Sequence, residues 1–174
     1  MIPPTEAREP APAPKAKRSK PEKAEATALK AWVVLARAYL AISRHVEADV
    51  ARHELTTSEF GILEALYHKG PLLLGDLQKK VLVTSGGMTY LVDRLESKGL
   101  VARESFPSDK RARYAVLTAQ GSALIRRIFP AHARRLTRVL DALSPKEQKR
   151  LTELLRTLGK GAEKRSLPGE PNGR

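Results

Sequence analysis

The chain has 174 residues, 41% of them hydrophobic, and its 32 Lys and Arg residues against 19 Asp and Glu residues give a net charge of +13. This length fits one domain with its own core, and the excess positive charge favours a polyanionic partner, either nucleic acid or an anionic membrane surface. The absence of cysteine excludes disulfides, thiolate metal sites and thiol-based redox switches.

Both ends of the chain have the composition of flexible segments. Residues 1–26 are rich in Pro, Ala and Lys and lack a core-forming pattern, so we interpret them as a disordered basic tail, with a DNA-contacting arm as the alternative. Residues 161–174 are interpreted as a second flexible tail. The start of the chain lacks the apolar stretch of a signal peptide, and no segment resembles a membrane-spanning helix, so we expect a soluble, cytoplasmic protein.

Four helices are predicted between the first tail and Gly99 from the spacing of apolar residues. The first covers about residues 27–53, and the second runs from the TTSE motif at 56–59 to Gly70. The third and fourth cover about 73–81 and 84–98. TTSE is a capping box, in which the side chains of Thr56 and Glu59 each accept a hydrogen bond from the other residue's backbone. Gly99 is in the position where a left-handed residue ends a helix.

A change of pattern after Gly99 predicts a β-hairpin. The runs LVARES and RYAVL suit short strands, and the turn-rich FPSDKRA between them gives a charged tip. A helix then runs from Thr118 to about residue 142, with a kink expected at Pro130, and SPKE at 144–147 begins a last helix to about residue 159. The order predicts a mainly α fold with a small β-hairpin: a winged helix-turn-helix flanked by helical dimerisation elements.

The helix at 84–98 and the hairpin tip contain the candidate DNA contacts. The first turn of such a helix enters the major groove, and small residues there let the backbone approach phosphates and base edges. A preoriented arginine on the tip suits a narrow minor groove. The alternatives are an ordinary surface helix with glycines that relieve a packing contact, and a solvated turn. The candidates are Thr84, Ser85, Gly86, Gly87, Thr89, Tyr90 and Arg94 in the helix, and Ser108, Asp109, Lys110, Arg111 and Arg113 in the hairpin.

The run VTSGGMTYLVDRLESKGLVARESFPSDKRARYAVLTAQG resembles the signature of the MarR (multiple antibiotic resistance regulator) family of winged-helix repressors. The resemblance implies a domain at 27–160, with dimerisation helices at about 27–53 and 119–159 and a DNA-binding part at about 56–117. It also implies a homodimer on a near-palindromic operator, with Arg111 as the wing arginine. Further segments, such as EALYHKGP, look most like the branch of the family that responds to hydroquinones and related phenols.

Similar proteins hold small aromatic or phenolic compounds in a crevice between the dimer helices and the winged helix. The resemblance therefore implies a repressor that such an effector releases from double-stranded DNA, with no cofactor. The candidate ligand-binding residues are Trp32, Tyr39, Phe60 and Tyr67. For each of them, the alternative to ligand binding is a position in the hydrophobic core.

Two other classes of function are weighed against this one. For an enzyme or metal site, His45 and Asp49 are one helical turn apart, but two ligands are too few, and no catalytic motif is present. For a membrane-surface protein, LIRRIFPAHARRLTRV combines five arginines with an apolar face. We expect neither catalysis nor membrane binding, because packing in a helical dimer explains the apolar face more simply.

Overall fold

The computed structural model describes residues 20–81, 85–106 and 109–165, and these contain six α-helices and three strands. The chain divides into two compact units, Met1–Ala41 and Ile42–Arg174. The elements in chain order are α1 (Lys20–Ala51), α2 (Thr57–Lys69), β1 (Leu72–Leu73), α3 (Leu74–Lys80), α4 (Ser85–Ser97), β2 (Val101–Phe106), β3 (Asp109–Leu117), α5 (Ala119–Val139) and α6 (Pro145–Glu163).

The helices at both ends extend into segments that we had predicted to be tails. Helix α1 begins at Lys20, so residues 20–26 are helical rather than disordered, and α6 continues to Glu163. Lys, Glu and Ala are strong helix formers, and Pro21 lies in the first turn, where its missing N–H costs nothing. Apolar periodicity, the pattern that predicts a helix from sequence, is absent from such helix ends. Helix α5 is continuous through Pro130.

The sheet has one strand more than the predicted hairpin. The strand order is β1-β3-β2, all antiparallel, with Leu72 opposite Ala115 and Val101 opposite Leu117. Strand β1 has only two residues, which is too short for an alternating pattern to be visible in the sequence. The predicted winged helix-turn-helix is confirmed, and this third strand ties the base of the wing to the start of α3.

The core of the second unit is built by one face of each winged-helix element. The apolar residues predicted to lie on one side of α4 are all buried there: Met88, Leu91, Val92 and Leu95. Helix α4 begins at Ser85, so Gly86 and Gly87 lie in its first turn and not in the interior. Glycine is less costly at that position, because the first N–H groups of a helix have no intrahelical partner.

The junction between α4 and β2 is closed by glycine. Gly99 has φ +69°, as predicted, and its N–H and that of Leu100 donate to the carbonyls of Glu96 and Leu95. Thr118 Oγ1 donates to the Gly99 carbonyl at 2.7 Å and accepts from Gly121 N at 3.0 Å. These bonds join the end of α4 to the start of α5.

Helix α1 departs from the expectation that no segment could span a membrane. It contains an 18-residue window with a mean hydropathy of 1.3, so by length and composition alone it passes that test. Most of its large apolar side chains up to Ala41 are exposed, including Leu29, Trp32 and Leu40. A large exposed apolar surface marks a site of interaction with another protein or a membrane.

Candidate nucleic-acid interface

The outward side of α4 presents polar groups. Thr89 and Tyr90 are exposed, and so is most of Asp93, while the opposite side of the helix packs into the core. This is the arrangement that a recognition helix needs, since the buried face holds the helix while the polar face remains free for base edges.

Glu59 of α2 binds the C-terminal end of α4 through ion pairs. Its side chain has 0% exposure, and its Oε1 accepts a hydrogen bond from Lys98 Nζ at 2.9 Å and lies 3.3 Å from Arg94 Nε. Its Oε2 accepts from Thr56 N at 2.7 Å, which completes the predicted capping box. Lys98 Nζ also donates to the Glu54 carbonyl at 2.7 Å. One carboxylate therefore joins the start of α2 to the last turn of α4.

These contacts keep Glu59 ionised. Burial raises the pKa of this carboxyl group, but the Thr56 N–H together with the hydrogen bond and charge of Lys98 outweigh burial. The pKa is therefore held below its ordinary value of 4.5. The sequence identified Glu59 only as a cap, because a capping box is a local pattern and its contact with Lys98 spans 39 residues.

Arg94 was predicted as a DNA contact, and the structure shows it held from two sides. Its Nε is beside Glu59, and its guanidinium carbon lies 5.8 Å from the centroid of the Tyr90 ring. The side chain remains 40% exposed. The arginine thus has a structural partner that sequence reasoning missed, and part of its side chain still reaches solvent.

The wing is joined to α4 by Arg103 of β2. Its guanidinium pairs with Asp93 at 2.7 Å and with Glu96, whose Oε1 also accepts from the Arg103 backbone N at 2.9 Å. A guanidinium fork between two carboxylates fixes orientation as well as distance. Sequence reasoning did not identify Arg103, since nothing in a strand pattern shows which helix the strand will meet.

Within the wing, Arg113 is exposed and its Nη1 donates to Ser105 Oγ at 2.9 Å across the two strands. Two further candidates, Thr84 and Ser108, lie outside the described residues. For five others the structure describes the backbone, in α4 or β3, but not the surroundings of the residue: Ser85, Gly86, Asp109, Lys110 and Arg111.

The four candidate ligand residues are in different environments. Phe60 is 3% exposed and belongs to the core, where its ring centroid lies 4.4 Å from that of His132. Tyr67 is 38% exposed and lies 5.9 Å from the ring of Phe129. Trp32 and Tyr39, on α1, are 66% and 64% exposed. Phe60 therefore lies in the core, which was the stated alternative to ligand binding for all four residues.

A buried polar cluster joins the last turns of α1 to α5. Asp49 accepts from His132 Nδ1 at 2.9 Å and lies 2.9 Å from Arg135 Nε. His45 is among the residues that line a small pocket of about 10 Å³ beside the cluster, which is room for about one water molecule. Within the described ranges, no three His, Asp or Glu side chains are arranged to hold a metal ion.

The apolar face of α5 is used inside the protein. Ile125 and Ile128 are buried, and Leu124 and Phe129 pack against the same core. The helix has the five arginines noted in the sequence, but its apolar side is not free to lie on lipid. The membrane-surface alternative depended on a free apolar face of this helix, and that face is occupied by the core.

Comparison with known proteins decides the family. The family model described as MarR matches residues 55–112, which cover α2 to the first part of β3. The HTH-type transcriptional regulator MhqR of Bacillus subtilis is 40% identical over 135 residues, 78% of this chain and 93% of that protein. The chain belongs to the MarR family. As a MarR-family protein it is a DNA-binding transcriptional regulator.

Solved structures support the same assignment. The MarR family regulator Sco3205 of Streptomyces coelicolor, solved in complex with DNA, is 27% identical, with 92% of this chain and 97% of that chain covered and a TM-score of 0.72. BpsR of Bordetella bronchiseptica, whose DNA binding is regulated by 6-hydroxynicotinic acid, is 28% identical, with 72% and 90% covered and a TM-score of 0.65. The MarR fold thus carries both DNA binding and small-molecule control in proteins similar to this one.

Proposed function

We propose that this MarR-family protein is a cytoplasmic, homodimeric repressor that binds a near-palindromic operator and is released by a small aromatic or phenolic effector. The observation that carries the proposal is the exposed polar face of α4, held between the Glu59 anchor and the Arg103 link to the wing. We infer no catalytic activity, since the relatives that it matches are described as transcriptional regulators.

The first part of the proposal concerns DNA. The N-terminal turn of α4 enters the major groove, where Gly86 and Gly87 allow close approach and Thr89 and Tyr90 meet base edges. Arg111 at the wing tip enters the adjacent minor groove. The net charge of +13 supplies the non-specific attraction that brings the protein to DNA.

Dimerisation is the second part, and exposed leucines support it. None of the 19 residues Pro145–Glu163 of α6 is buried, yet Leu151, Leu154, Leu155 and Leu158 lie together at helical spacing. The apolar side of α1 is exposed as well, and exposed apolar stripes of this kind mark interaction surfaces. Closed two-fold pairing is the commonest way to bury such a surface, and it places two recognition helices on one face of DNA.

Effector binding is the third part. The likeness to BpsR supports a small aromatic acid or phenol as the chemical class. The cavity of about 10 Å³ beside Asp49 is too small for such a ring. A ring of that size fits a larger surface pocket, such as the one of about 360 Å³ lined by Glu64, His68 and Lys80, or a site where the dimer adds a second wall.

The experiment starts from a DNA duplex that the purified protein selects from random-sequence DNA. We expect a near-palindromic sequence, a complex of two chains per duplex, and a free protein of twice the 19.2 kDa chain mass by light scattering. Replacing Leu154 and Leu158 with Lys should give monomers that bind the duplex weakly. A wild-type protein that selects no sequence contradicts operator recognition, and a monomer at the same concentration contradicts the dimer.

The effector is tested by titrating phenols, hydroquinones and hydroxynicotinic acids into the complex, with release followed by fluorescence anisotropy. Anionic vesicles are the control for the membrane-surface alternative. Tighter binding to vesicles than to the selected duplex, at the same ionic strength, would favour that alternative over the proposal.

A further inference from the structure

The contact between α2 and α4 has a consequence for DNA binding. Glu59 is fully buried, ionised and paired with two cations: Arg94, in the last turn of the recognition helix, and Lys98, which directly follows that helix. A buried carboxylate needs such partners, and removing it leaves them without their anion. No other described acidic side chain lies within ion-pair distance of Arg94 or Lys98.

The two cations have different exposure. Lys98 is 29% exposed, and its Nζ donates to Glu59 Oε1 and to the Glu54 carbonyl. Glu54 is itself in the left-handed region, with φ +58°, so Lys98 also secures a strained turn between α1 and α2. Arg94 is 40% exposed, and its Nε lies 3.3 Å from Glu59 Oε1.

Arg94 is also confined on its other side by the ring of Tyr90, 5.8 Å from its guanidinium carbon. A flexible arginine loses rotamer entropy when it binds DNA, and one that is already oriented loses less. Glu59 holds the inner edge of the guanidinium, so the outer edge is presented in a fixed direction.

We propose that Glu59 is a positioning residue for operator binding: without touching DNA, it orients Arg94 and seats α4 so that the arginine meets the DNA in one geometry. This inference rests on the proposed role of α4 as the recognition helix. It adds to that role a residue on another helix, outside the predicted contact surface.

The test is a double-mutant cycle on the selected duplex. Glu59→Gln cannot accept hydrogen bonds from both Thr56 and the two cations, because its amide nitrogen is a donor. We expect it to weaken operator binding by about tenfold or more, the effect of one charge-assisted hydrogen bond. Arg94→Gln should cost a similar factor. The double variant should be little weaker than either, since Glu59 acts through Arg94.

A merely structural role predicts a different result. If Glu59 only caps α2, the two losses multiply, and this outcome would falsify the inference. The matched control is Glu147→Gln in α6, which removes the same capping-box acceptor from Ser144 N at 2.9 Å but is remote from α4 in the fold. It should leave operator affinity unchanged. Urea unfolding of each variant shows that the affinities belong to folded protein, and Arg94→Gln keeps the cycle informative even if Glu59→Gln is destabilised.

Thr89→Ala and Tyr90→Ala separate this inference from the proposed function. If neither variant weakens operator binding, α4 does not read the DNA and both ideas fail. If both variants weaken binding while Glu59→Gln does not, the recognition helix stands and only the positioning role of Glu59 is overturned.

Discussion

His132 Nδ1 lies 2.9 Å from Asp49 Oδ2, and this buried pair connects the last turns of α1 with the middle of α5. The His132 ring also contacts Phe60, the neighbour of Glu59 in α2. Adjacent residues of α2 thus face two ways, Phe60 towards the polar cluster of α1 and α5, and Glu59 towards the recognition helix. A change at the Asp49 cluster has a short physical route to α4.

Asp49→Ala should destabilise the protein. Asp49 is the acceptor for His132 and the counter-charge of Arg135, so its removal leaves the buried His132 donor unsatisfied and Arg135 without its counter-charge. We expect the free energy of unfolding to fall by about 2–3 kcal/mol. Urea denaturation followed by circular dichroism measures it, with Glu47→Ala, an exposed residue of the same helix, as the control. A loss no larger than that of the control would mean that the cluster contributes no net stability.

Glu59 should contribute an acid-dependent part of stability. Because its pKa is lowered in the folded protein, the contribution is fully present above about pH 4.5 and is lost as the pH falls through the folded value. Glu59→Gln lacks this titration. The difference in unfolding free energy between wild type and variant should therefore be smaller at about pH 3 than at about pH 6. Glu153→Gln, an exposed change in α6, serves as control. A difference that stays constant with pH contradicts the pairing of Glu59.

Gly121 should not tolerate a side chain. A Cβ atom there would lie 1.9 Å from the Leu100 carbonyl oxygen, a backbone atom that cannot move aside without opening the junction of α4 and β2. We expect Gly121→Ala to cost about 2–3 kcal/mol of stability. Gly159→Ala, in α6, meets nothing within 4 Å and should be neutral or stabilising by up to about 1 kcal/mol. Thermal unfolding of the two variants compares them directly, and equal melting temperatures would refute the clash.

Alanine at Gly86 and Gly87 should separate stability from DNA binding. Both residues are in the first turn of α4, so replacing them should raise the stability of the helix by less than about 1 kcal/mol each. Operator affinity should nevertheless fall, because added Cβ atoms crowd the turn that approaches the groove, and Gly86 should matter more. Anisotropy titrations are the measurement, with Gly161→Ala as control. Unchanged operator affinity in these variants would indicate that the glycines relieve a packing contact and do not approach DNA.

Arg111→Ala should weaken operator binding by about 1–3 kcal/mol and reduce its salt dependence by about one counterion. Asp109→Ala should have a smaller effect, by loosening the arginine. Arg150→Ala, an exposed arginine of α6, is the matched control for net charge. Binding by Arg111→Ala as tight as by wild type, at physiological salt, would show that the wing tip does not enter the DNA.

The sequence by itself determined the features that depend on neighbours in the chain. Apolar spacing located the core face of α4, the Thr56–Glu59 capping box located the start of α2, and the glycine at position 99 located the end of α4, each confirmed by the structure. Such signals arise within about one or two helical turns, so no knowledge of the chain path is needed.

Only the tertiary structure decided which side chains meet across that path. Glu59 and Lys98 are separated by 39 residues, and Asp49 and His132 by 83. Neither pair has a spacing that marks it, and Glu59 had already been accounted for as a cap. Likewise β1 exists because β3 passes beside it, and Arg103 finds its carboxylates because the wing folds back on α4. Long-range ion pairs and a two-residue strand follow from the fold, since the free energy that holds them comes from packing between elements rather than from local preference.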